Sequence, residues 1–287
     1  MLCVLSALVA SPSVVASPSV VASPSPIETL AAGFTHAIQK RQPAAFEGLL
    51  ADDFKAYVGG WGPPTCKYYD KPGFVAHVAD WQSTWSTNYT FFDVRHSIAS
   101  GNSLALVLTI AYWSKPGKPG GPVNADEVLQ FFWSNEEGTQ LTGFLELSGL
   151  VPSDNATAML DASWNPMIDA VNMKNLTKYG SVLGSDSKIT SYPQGNLPPQ
   201  TFNKTSLLAS LADDWKKIDN SKAIFPTKAN AACANYVWGI STYFDLQRSS
   251  LPSSNSIQVA VSYLRLGAAG AVAEVGTWLK TAGGVPV

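Results

Sequence analysis

Apolar residues at helical and then at strand spacing predict three helices followed by a run of strands in the first half of the chain. Ile27, Leu30, Phe34 and Ile38 share one helical stripe. The further predicted elements are a helix opened by Pro43 and ending near Asp52-Asp53, a short strand Phe54–Val58, a helix from about Asp70 that carries Phe74, Val78, Trp81 and Trp85, and the strands Tyr89–Ala99, Ser103–Trp113, Glu127–Ser134 and Thr139–Ser148. Helices that precede a β-meander and cover one face of it define an α+β domain.

The second half predicts the same elements in the same order. Leu160, Trp164, Ile168 and Val171 form an apolar stripe, with Pro166 marking a kink or a late helix start. The other predicted elements are a helix over Leu176, Tyr179 and Leu183, a strand Lys188–Tyr192, a helix capped by Asn203 or Thr205, and the strands Ala223–Ala231, Tyr236–Leu246, Ile257–Leu266 and Ala271–Leu279.

The two halves match residue by residue at a nearly constant spacing, between 130 and 135 residues. The matched sets, in chain order, are Leu30, Phe34 and Ile38 with Leu160, Trp164 and Ile168; Asp53-Phe54-Lys55 with Asp186-Ser187-Lys188; Pro63-Pro64 with Pro198-Pro199; and Ala79-Asp80-Trp81 with Asp213-Asp214-Trp215. Four matches in one order indicate an internal duplication. We therefore predict two tandem domains, residues 26–150 and 158–283.

Composition is compatible with two cores and excludes some partners. The chain has 287 residues, 46% of them hydrophobic, and nine tryptophans, which is ample for two domains of ordinary size. Only 14% of residues are charged and the formal net charge is −2. No basic cluster or positive balance points to nucleic acid or to an anionic membrane surface.

Residues 1–25 predict a removed leader and a spacer. Leu2–Ala10 is apolar but too short to span a bilayer, and small-residue cleavage positions follow it. The repeated Ala-Ser-Pro-Ser-Val-Val hexad predicts a flexible or polyproline-like segment. Four Asn-x-Thr sequons, at Asn88, Asn155, Asn175 and Asn203, agree with a secreted glycoprotein that has no membrane span in its mature form; an organelle lumen is the alternative.

Cysteine usage leaves two possibilities open. Cys3 lies in the predicted leader, so the mature chain keeps Cys66 and Cys233. In an exported protein the two could form one disulfide between the domains, or both could remain buried thiols. No cysteine or histidine spacing predicts a zinc site, and no motif predicts a cofactor.

The order of elements, with Leu49-Leu50-Ala51-Asp52-Asp53-Phe54 closing the second helix, resembles the nuclear transport factor 2-like superfamily, which includes SnoaL-like domains. The resemblance implies two cone-shaped domains, each with three helices packed on a curved antiparallel sheet around a pocket. It also implies that the two domains form an intramolecular pseudo-dimer, with further self-association possible.

Ketosteroid-isomerase-like members of that superfamily use a tyrosine on the first helix and an aspartate base at the end of the first strand. The alignment places Phe34 and Val58 at these positions in the first domain, and Trp164 and Tyr192 in the second. A phenyl ring cannot donate a hydrogen bond and a valine cannot accept a proton. The family's acid–base pair is therefore missing from the first domain.

Candidate chemistry falls in the first domain, which holds all three histidines. Strand alternation puts His96 on one face with Phe92, Val94 and Ile98, so its imidazole could act as a base inside the sheet. A structural histidine at a sheet edge is the simpler interpretation. The residues expected to line a pocket are Phe34, Tyr57, Trp61, His77, Trp81, Tyr112 and Glu146.

Three functions remain open at this point. A non-catalytic protein would bind a small apolar molecule in one or both pockets. A secreted structural or interaction protein would pair through its sheet faces. A SnoaL-like isomerase, cyclase or hydrolase would use His96 as base. Whether the chain is an enzyme stays open, because fold alone does not decide function.

Overall fold

The computed structural model describes residues 23–58, 67–114, 124–148, 160–193, 195, 198–217, 228–233, 236–245, 256–267 and 270–282. The chain divides into two compact units, one built mainly from Pro24–Ser153 and the other mainly from the residues after it. Each unit has its own sheet and its own apolar core.

The first unit has helices before a meander, as its apolar periodicity predicts. Its elements are α1 (Pro26–Gln39), α2 (Ala45–Leu49), β1 (Leu50–Val58), β2 (Lys67–Asp70), α3 (Lys71–Thr84), β3 (Trp85–Ser100), β4 (Ser103–Ser114), β5 (Asn124–Ser134) and β6 (Leu141–Ser148). They form a six-stranded sheet in the order β2-β1-β6-β5-β4-β3. The predicted α+β class is confirmed.

The sheet is mixed rather than wholly antiparallel. Strands β3 to β6 form an antiparallel meander and β2 runs antiparallel to β1, whereas β1 and β6 are parallel, with Val58 opposite Glu146. The expectation of an antiparallel sheet is corrected here. The last strand of the meander, β6, lies beside β1 and runs in the same direction, so the two strands form a parallel pair.

The second unit repeats this arrangement. Its elements are a π-helical turn (Leu160–Trp164), α4 (Asn165–Asn172), α5 (Leu176–Val182), β7 (Leu183–Pro193), β8 (Gln200–Asn203), α6 (Lys204–Lys217), β9 (Lys228–Cys233), β10 (Tyr236–Asp245), β11 (Ser256–Leu266) and β12 (Val272–Ala282). They form a separate six-stranded sheet in the order β8-β7-β12-β11-β10-β9, with β12 parallel to β7. The strand order is that of the first sheet.

Several predicted boundaries move by a turn or less. Helix α2 ends at Leu49 and β1 already begins at Leu50, because Leu50 packs into the core as a strand residue. Trp85, predicted on the third helix, is the first residue of β3. At Pro166 the helix type changes rather than the helix starting late: the π-helical turn Leu160–Trp164 leads directly into α4, which begins at Asn165. A proline in the first turn of α4 has no hydrogen-bond donor to leave unpaired.

The short edge strands β2 and β8 were not predicted. Each has four residues and a mostly exposed burial pattern, so neither carries the apolar alternation that marks a strand. The backbone just after β8 instead shows a clear helix start. The Asn203 side chain accepts a hydrogen bond from the Ser206 backbone N–H at 2.8 Å, which confirms Asn203 as a cap.

Two of the sequon asparagines thus have a structural role. Asn203 caps α6, and the side-chain oxygen Oδ1 of Asn175 accepts a hydrogen bond from the Lys178 backbone N–H at 2.9 Å, which caps α5. Helix capping is a sufficient reason for asparagine at both places.

Aromatic rings fill the core of the first unit. The Phe34 ring lies 4.9 Å from that of Phe144 and 5.3 to 5.6 Å from those of Phe46, Phe74 and Phe132. Ring centroids at these separations, several of them edge-to-face, add to the energy of simple burial. Phe34 therefore joins both helices α2 and α3 to the strands β5 and β6.

We expect Phe34→Ala to lower the free energy of unfolding of the first unit by about 3–5 kcal/mol, the usual cost of truncating a fully buried phenylalanine. Chemical denaturation followed by circular dichroism measures this loss. The exposed Tyr68 is the matched control, because Tyr68→Ala removes a ring that is 59% exposed and should change the free energy by well under about 1 kcal/mol. Equal losses for the two variants would contradict the role of Phe34.

Candidate functional site

Two buried polar side chains lie on the helix-facing side of the first sheet. Val128 and Phe132 of β5, and Phe144 of β6, belong to the apolar cluster shared with the helices. Gln130 lies between Val128 and Phe132, and Glu146 lies two residues beyond Phe144, so alternation places both on that same face. The sheet register makes Gln130 and Glu146 direct partners.

The pair is hydrogen-bonded and closed off from solvent. The Gln130 amide nitrogen donates to the Glu146 carboxyl oxygen Oε2 at 2.7 Å. The exposed fractions are 1% for Gln130 and 0% for Glu146. Leu106 is the neighbour of Gln130 across β4, and Val58 is the neighbour of Glu146 across β1. A carboxyl group in such surroundings requires a hydrogen-bond partner, and Gln130 provides one.

This pair places polar groups on an inner face whose other described sheet residues are mostly apolar. A carboxylate offers about four lone-pair sites. It can accept a hydrogen bond from a hydroxyl or amino group of a ligand, or take a proton as a base. Sequence analysis named Glu146 but missed Gln130. The apolar-polar-apolar alternation of Val128, Gln130 and Phe132 within an apolar strand is the signal that could have found it.

The same register positions carry hydroxyl groups in the second unit. Ser262 of β11 and Thr277 of β12 are direct partners, and their side-chain oxygens lie 3.1 Å apart in a hydrogen bond. Both residues are buried. The next position across the sheet is Ser191 of β7, which pairs with Thr277. The second unit therefore has a polar row on its inner face, with no carboxyl group in it.

Register also revises which residues correspond at the end of the first strand. Val58 pairs with Glu146, and Ser191 pairs with Thr277. Ser191, rather than the Tyr192 of the sequence alignment, is therefore the counterpart of Val58. The Tyr192 ring instead stacks on Trp278, with centroids 4.1 Å apart.

The alternation assumed for His96 is interrupted. A β-bulge between Val94 and His96 makes Val94 the partner of Leu108 and His96 the partner of Val107, which lie on opposite faces of β4. Val94 and His96 consequently do not share a face, and that part of the prediction is corrected. The side chain of His96 is outside the part of the structure that is described.

The other predicted pocket residues fall into three places. Phe34 and Trp81 are core residues of the apolar cluster. Tyr57 is half-buried and pairs with Leu145, so it lies on the face away from the helices. Trp61 and Cys66 lie outside the described residues, as do the side chains of Tyr112 and Cys233.

His77 of α3 packs beside the edge strand β2. Its ring stacks on Tyr69 with centroids 4.7 Å apart and an interplanar angle of 18°. Burial lowers the pKa of His77, and Lys67 lowers it further, while Asp80 acts in the opposite direction. Burial and then Asp80 raise the pKa of Tyr69. Both rings are thus held in their neutral forms near neutral pH.

Among the described residues, no group of three or more His, Cys, Asp or Glu side chains is arranged to hold a metal ion. None of the described helices is long and apolar enough to cross a bilayer.

Comparison with solved structures finds similar folds at low sequence identity. IdmH from Streptomyces antibioticus, a proposed polyketide cyclase, is 15% identical over 42% of this chain and 91% of its own, with a TM-score of 0.35. A proposed SnoaL-like polyketide cyclase from Shewanella denitrificans is 15% identical over 42% of this chain and 89% of its own, with a TM-score of 0.36. An LEH-like epoxide hydrolase from M. tuberculosis is 14% identical over 42% of this chain and 76% of its own, with a TM-score of 0.33.

No protein-family model matches the sequence, and no curated protein matches it. The three structures each resemble less than half of the chain, and at this level of likeness they carry no information about its activity.

The lowered pKa of His77 predicts a pH-dependent stability. Because the folded state disfavours the protonated imidazole, the unfolded chain binds more protons below its ordinary pKa of about 6.5. The free energy of unfolding should therefore fall as the pH decreases through that value towards the lower folded pKa. His77→Gln should flatten the profile between about pH 7 and 5.

Urea denaturation of both proteins at a series of pH values measures the two slopes. Above about pH 8 the imidazole is neutral in both states, so the difference between the two proteins should be constant there. Identical slopes between pH 7 and 5 would rule out the proposed contribution of His77.

Proposed function

We propose that the chain consists of two tandem SnoaL-like domains, and that the first binds a small, largely apolar molecule without acting on it. The observation that carries the proposal is the buried Gln130–Glu146 pair on an apolar inner face. Small-molecule sites in proteins commonly combine apolar walls with a few fixed polar groups. The repeated strand order of the two sheets supports the tandem arrangement.

The polar pair defines the kind of ligand. Glu146 can only accept hydrogen bonds when ionised, and Gln130 holds the carboxyl group in one orientation. The ligand we propose therefore has an apolar body and one hydroxyl or amino group that donates to the Glu146 carboxylate. No cofactor enters this proposal.

Matched probes of one shape test the ligand class. Naphthalenemethanol and naphthalenemethylamine carry a donor group, whereas methylnaphthalene does not. The unaltered protein should bind the first two at least about fivefold more tightly than the third, because one hydrogen bond contributes about 1 kcal/mol net. Isothermal titration calorimetry or native mass spectrometry measures the three affinities.

Glu146→Leu should remove this preference and leave methylnaphthalene binding within about threefold of its original value. Thr277→Val, at the counterpart position of the second unit, is the control and should leave the preference intact. Equal binding of all three probes by the unaltered protein would exclude the pair as a ligand contact.

Catalysis is the second candidate, and the buried carboxyl group is the observation that favours it. A carboxyl group in apolar surroundings can serve as a general base, which the sequence-based hypothesis assigned to His96. If Glu146 is the base, Glu146→Gln should abolish turnover of a substrate while its binding persists, and His96→Ala should not. If His96 is the base, the two results should be reversed.

Self-association is a third candidate and rests on an apolar row across four strands. The register joins Tyr68, Tyr57, Leu145 and Phe131 on the face away from the helices. Tyr68 is 59% exposed, whereas Leu145 and Phe131 are buried, at 4% and 0%. Exposed apolar side chains on an edge strand are common contact points between protein chains. We propose that copies of the protein pair through the β2 edge at Tyr68, if the protein functions by interaction.

Under this third proposal, the mature protein should sediment as discrete assemblies at micromolar concentration, because an apolar contact forms by mass action. Tyr68→Glu should shift it to monomer at the same concentration, since it places a charge in the contact, whereas Tyr68→Phe should not. Analytical ultracentrifugation measures the assembly state of the unaltered protein and of both variants. A protein that is monomeric throughout would overturn this candidate.

We also propose that the protein is exported, in keeping with its apolar leader and low charge. Expression of the full chain in a secreting host, followed by N-terminal sequencing of the product, tests this. A mature product that begins after the leader supports export, and retention of the intact chain inside the cell would refute it.

A further inference from the structure

The inner face of the second unit contains polar atoms that its packing does not use. The Oγ atom of Ser191 and the indole nitrogens of Trp164 and Trp215 are buried and have no hydrogen-bond partner among the described residues. The three residues are 1%, 2% and 7% exposed. A buried donor without a partner loses the hydrogen bonds that it would make to water in the unfolded chain, so three in one core call for a physical reason.

The three side chains belong to one region of the fold. Trp164 and Trp215 are members of the apolar cluster of the second unit, together with Ile189. Ser191 lies two residues beyond Ile189 on β7, so it faces the same side of the sheet. Thr277 and Ser262 lie next to Ser191 on the neighbouring strands, and their hydroxyl groups are hydrogen-bonded to each other.

Two of these three donors distinguish the second unit from the first, since the counterpart of Trp215 is Trp81. The counterparts of Trp164 and Ser191 are Phe34 and Val58, which have no side-chain donor. The first unit therefore demonstrates that apolar side chains can fill these two positions. The change from Phe and Val to Trp and Ser adds donors without adding charge.

The second unit also lacks buried ionic groups in the part of the chain described. Its buried polar residues there are Ser163, Ser187, Thr190, Ser191, Ser262 and Thr277, with no Asp, Glu, Lys, Arg or His among them. A charged ligand would have to be buried with no opposite charge among the described residues, which is strongly unfavourable because the ligand loses its hydration. A neutral ligand with a hydrogen-bond acceptor meets no such cost.

We infer that the interior of the second unit is a separate binding site for a neutral apolar molecule bearing a carbonyl or ether oxygen. The Ser191 hydroxyl and the indole N–H groups of Trp164 and Trp215 are the donors available to that oxygen, which accepts hydrogen bonds from up to two of them. The site is independent of the Gln130–Glu146 pair, and it selects acceptors where the first unit selects donors. The two units would then bind different classes of molecule.

Acetophenone and ethylbenzene, which have similar shapes, are the probes for this site. Acetophenone has a carbonyl acceptor, and ethylbenzene has none. Titration into protein labelled with ¹⁵N at tryptophan should shift the indole N–H resonances of Trp164 and Trp215 saturably with acetophenone. Acetophenone should bind at least about fivefold more tightly than ethylbenzene, the gain typical of one net hydrogen bond.

Ser191→Ala and Trp164→Phe should each reduce acetophenone affinity about five- to tenfold, with little change for ethylbenzene. Ser191→Ala should not destabilise the fold, because it removes a hydroxyl that has no partner among the described residues. The matched control is Thr190→Val on the same strand, whose hydroxyl pairs with Thr201 on the opposite face; it should leave both affinities unchanged.

Two outcomes would overturn the inference. One is the absence of saturable acetophenone binding, which would leave internal water as the partner of these donors. The other is equal binding of the two probes with no effect of Ser191→Ala. Glu146→Leu, assayed alongside, should not change acetophenone binding, so failure of the first-unit proposal and failure of this one give different results.

Discussion

The hydrogen bond between Gln130 and Glu146 is the constraint on which the interior of the first unit depends. A carboxyl group surrounded by apolar side chains is tolerated only with a partner of fixed geometry. The antiparallel register of β5 and β6 fixes that geometry by placing the two residues directly opposite each other. The same register places Phe132 opposite Phe144, so one strand pair provides both the aromatic core and its polar edge.

The second unit uses the same backbone positions for different chemistry. Ser262 and Thr277 occupy the places of Gln130 and Glu146, and Ser191 occupies that of Val58. The second unit therefore has a cross-strand hydrogen bond at these positions but no ionisable group. A polar cross-strand pair is thus common to both sheets.

The sheet faces away from the helices also share a feature, which is a glycine beside an aromatic ring. In the first unit, Gly143 leaves room for the Trp133 ring, since a methyl group there would lie 3.1 Å from it. In the second, Gly276 leaves room for Tyr263, whose hydroxyl donates to Glu274 at 2.7 Å. In both units a glycine on the last strand makes space for an aromatic ring on its neighbour.

Sequence periodicity predicted most helices and strands because their apolar stripes are long. It missed β2 and β8 because four exposed residues have no apolar alternation, and it misplaced Leu50 because a helix end and a strand start meet without a turn. For the site, it named Glu146 as a pocket residue but did not identify Gln130 as its partner. The residues that pair across two strands depend on the register. A bulge such as that beside His96 changes the register, and no particular residue type in the sequence indicates it.

The parallel pairing of β1 with β6 has a consequence for how the chain acquires its structure. It joins the beginning of a unit to its end, with Val58 beside Glu146, so the sheet cannot close until the last strand has been synthesised. Contacts between residues so distant along the chain slow folding, because a long loop must close before they form. In a chain made from its amino end, the first unit has all its strands before those of the second exist. Synthesis from the amino end therefore favours pairing within the first unit over exchange of strands between the two units.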